Sequence, residues 1–304
     1  MSQNSINNTI GSSASLTYIN QLRSSPGQWV SYNDQTDTFG MYNSPGTPET
    51  NITANIGSIC TDTTNGDLYL KSTDASNTGW RLVASAATLS YNVQVFTSNG
   101  TYTPTTGMIN CMVECTGGGG GGGGCATAGA GQFAAGGGGG SGSYSRKLFD
   151  AATIGSSQTV TIGAGGAGGT AGANAGTNGG TTSLGSLITA GGGTGGSGGV
   201  AGTSTYTTGG SGGTATLGDV NYKGEMGRPS FGSFGNTPIL SGSGGAAPNG
   251  TAAAPIVLNT ATSVAGYAAD SIGGGGTGAA SVISAQQAGG DGFDGILIIT
   301  ECII

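Results

Sequence analysis

The chain has no histidine, and its 304 residues carry only 7 Lys+Arg against 14 Asp+Glu, a net charge of −7. Without imidazole there is no Ser-His-Asp or Cys-His relay, no usual zinc-enzyme ligand set and no histidine pH switch. Seven scattered cations cannot build the basic patch that a phosphate backbone requires, so nucleic acid is excluded as a partner. No run of 18 apolar residues occurs, so no segment is expected to enter a membrane as a spanning helix. The N-terminal MSQNSINNTIGSSAS lacks a basic n-region and an apolar h-region. It does not read as a signal peptide, and synthesis in a cytoplasm without export by that route is expected.

Cysteine is sparse and odd in number: Cys60, Cys111, Cys115, Cys125 and Cys302. Cys111 and Cys115 sit four apart in a strand-like stretch, about 13 Å at the rise of an extended chain, beyond disulfide reach. Alternation places them on one face with Ile109 and Val113. They read as buried free thiols acting as small hydrophobes. No metal or cofactor site is expected. DTTNGD (62–67) lacks the third-position ligand and the twelfth-position acid of a calcium loop, and reads as a hairpin turn at Asn65-Gly66. GAGGAG (163–168) and GTGGSG (193–198) match a dinucleotide fingerprint in letters. Such a site needs a helix next, and GTAGANAGTNGG after Gly168 is a poor helix former.

What the chain has in excess is glycine. Of its 67 glycines only 9 fall in residues 1–116, and the run CTGGGGGGGGCATAGAGQFAAGGGGG starts at Cys115. The spacing is irregular and prolines number only 8, which excludes collagen. A flexible linker is disfavoured by the ending GILIITECII (295–304), which reads as a strand buried on both faces and needs partners. Those partners are YNVQVF (91–96) and MINCMVEC (108–115). Their pairing makes residues 117–294 one long excursion closed at its base. Inside it, 143–150 with 157–163 reads as one hairpin and 181–190 as another, with 255–259 and 281–284 as weaker strands.

Ordering glycine costs about 1–2 kcal/mol per residue. With no side chains to bury, the offset must come from backbone hydrogen bonds and close packing. Extended three-fold glycine helices supply both, because they approach closely and bond sideways. The expected fold class is all-β, with short N-terminal β-modules and then a β/polyglycine-II sandwich. The domains read as an arm (1–25), a small β-module (26–85) and a glycine-rich head (86–304).

The pieces VFTSNGTYTPTTGMINCMVECTGGGGGGGG, GGGGGSGSYSRKLFDAATIGSSQTVTIGAGGAGG, NGGTTSLGSLITAGGG and GGDGFDGILIIT stand in an order that resembles the glycine-rich C-terminal domain of bacteriophage tail-fibre proteins. The likeness covers residues 91–304. IGSICTDTTNGDLYLKSTDASNTGWRLV (56–83) resembles a short β-module of phage fibre and virion proteins, with Trp80 in its core. The resemblance implies a non-enzymatic short tail fibre, located on the virion. Residues 1–25 would dock to other virion proteins, and a homotrimer would present receptor-binding loops to a host glycan or outer-membrane protein. A capsid decoration fibre and a polysaccharide depolymerase are the competing readings. For the latter, Asp219, Glu225, Asp270, Asp291 and Asp294 are the available carboxylates.

GDVNYKGEMGRPSFGSFGNTPIL (218–240) concentrates the chemistry of the glycine-rich part. Aromatics and arginine dominate binding hot spots, and loops on rigid scaffolds carry function. Tyr222, Lys223, Arg228, Phe231 and Phe234 are therefore the expected receptor-binding residues. A small apolar cap on the glycine lattice is the alternative role for Phe231 and Phe234.

Overall fold

The computed structural model describes residues 19–20, 28–34, 37–73, 76–84, 89–233, 236–248 and 250–304. Most of the expected attachment arm, and Phe234, lie outside these. The chain divides into two units, Met1–Leu89 with Ile304, and Ser90–Ile303. Among the described residues no helix is long and apolar enough to cross a membrane.

The first unit is one six-stranded sheet in chain order: Ile19–Asn20, Gln28–Asp34, Asp37–Ser44, Ile59–Asp62, Leu68–Lys71 and Trp80–Ala84. Its pairs are antiparallel except the parallel pair of Asp37–Ser44 with Ile59–Asp62. The Asn65-Gly66 turn forms as its chemistry dictates, with Gly66 at φ 77°. Asp62 organises it, accepting from the amides of Gly46, Thr64 and Asn65 and from Asn65 Nδ2. The carboxylate is thus spent on the hairpin. Trp80 is buried with Ala54 and Cys60, and its Nε1 donates to the Ile52 carbonyl at 2.8 Å.

The second unit begins as two facing sheets. One has the order Val220–Tyr222, Tyr144–Asp150, Met108–Thr116, Ile296–Ile303, Ser90–Phe96. The other runs Ala215–Thr216, Ile188–Ala190, Thr182–Leu184, Gln158–Thr161, Gly100–Tyr102. The closing strand lies between its two expected partners, antiparallel to both. Between the sheets pack Tyr102, Cys111, Val113, Cys115, Phe149, Val160, Leu184, Ile188, Leu297 and Ile299. Cys60, Cys115 and Cys125 are free and buried, and burial pushes their thiols up to about 11, 12 and 11.

Three sequence expectations change here. Residues 143–163 are not one hairpin: Tyr144–Asp150 and Gln158–Thr161 join different sheets. A one-turn helix, Ala151–Ile154, carries the chain across, capped by Asp150 accepting from the Thr153 amide at 2.7 Å. Ile109 is exposed, because a bulge between Cys302 and Ile303 flips the alternation and buries Met108 instead. The closing strand buries one face fully and the other partly, as its alternating burial records.

On its buried face that strand carries a carboxylate, Glu301, with no exposed surface. Glu301 accepts from Thr105 Oγ1 at 2.6 Å, the Thr105 amide at 2.9 Å, Tyr102 Oη at 2.8 Å and Asn92 Nδ2 at 2.9 Å. Burial raises its pKa, but these bonds outweigh it and pull the carboxyl down to about 2. A depressed folded pKa stabilises above the unfolded value and is lost as pH falls through the folded one. Chemical denaturation should therefore show about 3 kcal/mol lost between pH 5 and pH 2, and Glu301→Gln should remove most of that slope.

Beyond the base the glycine runs form an array of extended rods. Gly117, Gly120 and Gly123 donate to Ser143, Gly140 and Gly137. Gly118, Gly121 and Gly124 donate to Gly180, Thr177 and Asn174, while Gly119, Gly122 and Cys125 donate to Phe293, Gly290 and Gln287. The carbonyls are equally regular. Those of Gly118, Gly121 and Gly124 accept from Gly193, Gly196 and Gly199, those of Gly119 and Gly122 from Gly166 and Gly169, and those of Gly120 and Gly123 from Gly276 and Ala279. Each direction recurs every third residue, and none of Gly117–Gly124 has positive φ. This is the left-handed three-fold polyglycine II helix, at the centre of a hexagon of neighbours.

The run 136–143 is a second centre. It bonds to 117–123, 191–197, 273–279, 225–228, 210–213 and 242–245. The two centres share the flanking runs 191–199 and 273–279. Runs 163–172, 174–180 and 287–293 complete the first hexagon, and 208–213, 224–228 and 242–245 the second. Glycine content tracks position. The first centre is glycine throughout, because a Cβ at any of Gly117–Gly124 would lie 1.8–2.4 Å from a backbone carbonyl oxygen. Outer runs carry a side chain at the solvent-facing third, as at Ala164, Ala167 and Thr170.

This lateral bonding supplies what the sequence demanded for ordered glycine, about 0.5–1.5 kcal/mol net per bond plus dense dispersion contact. Amide hydrogens of Gly117–Gly124 should exchange only by unfolding of the whole unit, which exchange mass spectrometry measures directly. Exchange as fast as in an unstructured glycine peptide would refute the array.

Candidate functional site

The rods end in a second pair of small sheets. One is Phe133–Ala135, Ala280–Val282, Thr262–Val264. The other, a four-stranded tip sheet, is Ser204–Thr207, Ser230–Ser233, Asn236–Leu240, Val257–Leu258. Between them lies a core of Phe133, Ala135, Ile239, Ile256, Leu258, Ala280 and Val282. Ser230 Oγ donates to the Ala135 carbonyl at 2.8 Å, fixing the tip sheet to the three-stranded sheet. Gly232 lies over Phe133, whose ring would be 3.1 Å from an added Cβ. The ladder is irregular between Phe231 and Ser233. That bulge is where Pro238, which has no N–H to give, fits into a strand.

Register brings four apolar side chains into one row. Tyr206 pairs with Phe231, Phe231 with Leu240 and Leu240 with Val257. Paired residues share a face, and this face is turned to solvent. Tyr206 is 69% exposed, Phe231 52% and Val257 55%, with Leu240 half-buried. Beside the row opens a cleft of about 320 Å³, lined by Arg228, Pro229, Phe231, Leu240, Ser241, Ser243 and Pro255. Exposed aromatic and aliphatic surface in a continuous stripe marks an interaction site more strongly than isolated apolar residues do.

The lattice positions Arg228. Its amide donates to the Ser243 carbonyl at 2.9 Å and its carbonyl accepts from Gly138 at 3.0 Å. The guanidinium is directed outward and meets Glu225 at 3.2 Å. Glu225 also accepts from the Ala246 amide at 3.1 Å.

Of the residues expected from sequence, Arg228 and Phe231 come together at this cleft. Tyr222 and Lys223 stand at the other end of the 224–228 run. Tyr222 stacks on Tyr144 with ring centroids 6.1 Å apart, at the edge of the base sheet. Phe234 lies outside the described residues. Tyr206, Pro229, Leu240, Pro255 and Val257 were missed. The available signal was the pair of short β-branched or aliphatic runs at 203–208 and 255–259.

The carboxylates weighed for hydrolysis are all engaged by the scaffold. Asp291 and Asp294 accept from the Gly168 and Gly165 amides, each at 2.7 Å, capping rod donors three residues apart. Asp219 accepts from the Leu148 amide and Asp270 from Thr251 Oγ1, each at 3.3 Å. Both G-x-G-x-x-G matches are outer rods with no helix after them. Among the described residues no group of three or more His, Cys, Asp or Glu could hold a metal ion.

Two β-layers joined by a double hexagon of polyglycine II rods define an all-β protein organised around a glycine lattice. The chain belongs to the glycine-rich domain family, whose model matches residues 95–300. No curated protein matches it.

Proposed function

We propose that the chain is a structural protein of a bacteriophage virion, a short tail fibre whose glycine-rich unit carries a host-binding tip. The observation that supports this most is the solvent-facing row Tyr206–Phe231–Leu240–Val257 with its cleft, held at the end of a rigid array. A rigid platform carrying variable loops is how binding surfaces are commonly built. The ordered motifs shared with tail-fibre glycine-rich domains agree with it. Function is binding, without catalysis or cofactor, and residues 1–25 join other virion proteins.

The fibre is a homotrimer in this reading. Tyr91, Val93 and Val95 project from an edge strand of the base sheet, all more than half exposed. Such an edge is a liability unless another chain covers it.

The test is immunogold labelling of phage particles with antibodies to the chain, joined to binding of the labelled protein to a panel of bacterial strains. Label at the tail and saturable binding to particular strains are expected. Label on the capsid would replace the tail fibre with a decoration fibre, and release of oligosaccharide from envelope glycans would replace binding with depolymerisation.

A further inference from the structure

We propose that the tip cleft seats one apolar side chain of an extended, acidic peptide segment, so that the tip's ligand is a surface protein loop. This rests on the tip being the binding end. The cleft is small, near the lower limit of ligand pockets at roughly 300–1,000 Å³, which suits a single large side chain. Its walls are Pro229, Pro255, Phe231 and Leu240. Its hydroxyls are Ser241 and Ser243, and Ser241 is buried with its Oγ accepting from the Ile256 amide at 3.0 Å. A saccharide displays hydroxyls around its ring and loses their hydration on binding, so it needs a denser set of polar partners.

Charge points the same way. Among the described residues no carboxylate lines the cleft, although the chain carries −7 overall. Arg228 stands there alone, because the other basic residues of the second unit, Arg146, Lys147 and Lys223, lie at its base end. Its pair with Glu225 is exposed, a kind that contributes about 0–1 kcal/mol. The guanidinium can therefore turn to an incoming carboxylate, which its planar fork fits in two parallel bonds. Strands about 4.8 Å apart make the row from Tyr206 to Val257 about 14 Å long. An extended peptide repeats its side chains on one face every ~6.8 Å. Two or three of them would meet the row, one entering the cleft.

The experiment titrates the full chain with an acetylated, amidated heptapeptide alternating aspartate with tryptophan and leucine. Its counterpart with lysine for aspartate and a chito-oligosaccharide serve as comparisons. The readout is the methyl resonances of Leu240 and Val257. The acidic peptide should give saturable shifts, with at least ten-fold weaker binding of the lysine peptide. Arg228→Ala should abolish that preference at unchanged melting temperature, and Phe231→Ser should abolish the shifts. Absent shifts, equal affinity for both peptides, or saturation by the saccharide would overturn the proposal. On cells, binding that disappears after surface proteolysis supports it. Binding that survives proteolysis and is lost to periodate overturns the peptide ligand while keeping the adhesin. A chain that binds no strain at all overturns the adhesin instead, and the titration still decides the cleft.

Discussion

Gly120→Val should cost the second unit more than about 3 kcal/mol and lower its melting temperature by roughly 10 °C. An added Cβ would lie 2.2 Å from the Thr194 carbonyl oxygen. That atom belongs to a backbone held by its own lattice bonds, so no rotamer change relieves the clash. Valine would also pry apart the bonds from Gly120 to Gly140 at 2.8 Å and from Gly276 to Gly120 at 2.9 Å. The control is Ala167→Val. Ala167 occupies the outward third of a rod and is exposed, so its substitution should stay within about 0.5 kcal/mol. Differential scanning calorimetry of both variants is decisive. Equal melting would mean that position in the three-fold repeat does not matter, which the array forbids.

The second large effect concerns the tip. Arg228→Ala combined with Phe231→Ala should lower cell binding by roughly 150- to 700-fold, the sum of two hot-spot side chains at about 1.5–2 kcal/mol each. Tyr222→Ala combined with Lys223→Ala should leave binding unchanged. Both double variants should melt with the parent, because Arg228, Phe231, Tyr222 and Lys223 are all exposed. Equal loss in both pairs would move the contact surface to the side of the rods. Loss only in the second pair would move it to the base.

That dissection depends on something sequence proximity conceals. Tyr222 and Phe231 are nine residues apart, and in a helix they would lie only about 13.5 Å from each other along the axis. Here the intervening run is a polyglycine-type rod rising about 3.1 Å per residue, so the same nine residues span roughly 28 Å. The lattice itself was legible because irregular polyglycine leading into an aliphatic strand leaves few physical solutions. The closing strand and its two partners were legible for the same reason. The tip row was not. Tyr206, Leu240 and Val257 sit in separate short segments, and only strand register, which a one-residue slip reverses, places them on one face with Phe231. The 143–163 hairpin misled because alternation shows that a segment is a strand without showing which sheet receives it. Glu301 was hidden inside an aliphatic run, and its partners Asn92, Tyr102 and Thr105 lie some 200 positions away.

A rod of identical residues has a symmetry that no side-chain core possesses. Sliding Gly117–Gly124 by three residues along its axis restores the direction of every lateral bond, so the interior alone cannot tell one setting from the next. Sliding it by one rotates the thread by a third of a turn, and the same slip in an outer rod drives Ala164 and Ala167 into the lattice. The outer rods therefore have a detent at every third residue, whereas the all-glycine centre, like a plain screw, has an equivalent setting at every residue. What stops the thread lies at its two ends: the paired strand up to Thr116 on one side, and Cys125, buried against Ala134 and Ala279, on the other. Those few bulky residues carry the registration of the whole glycine interior.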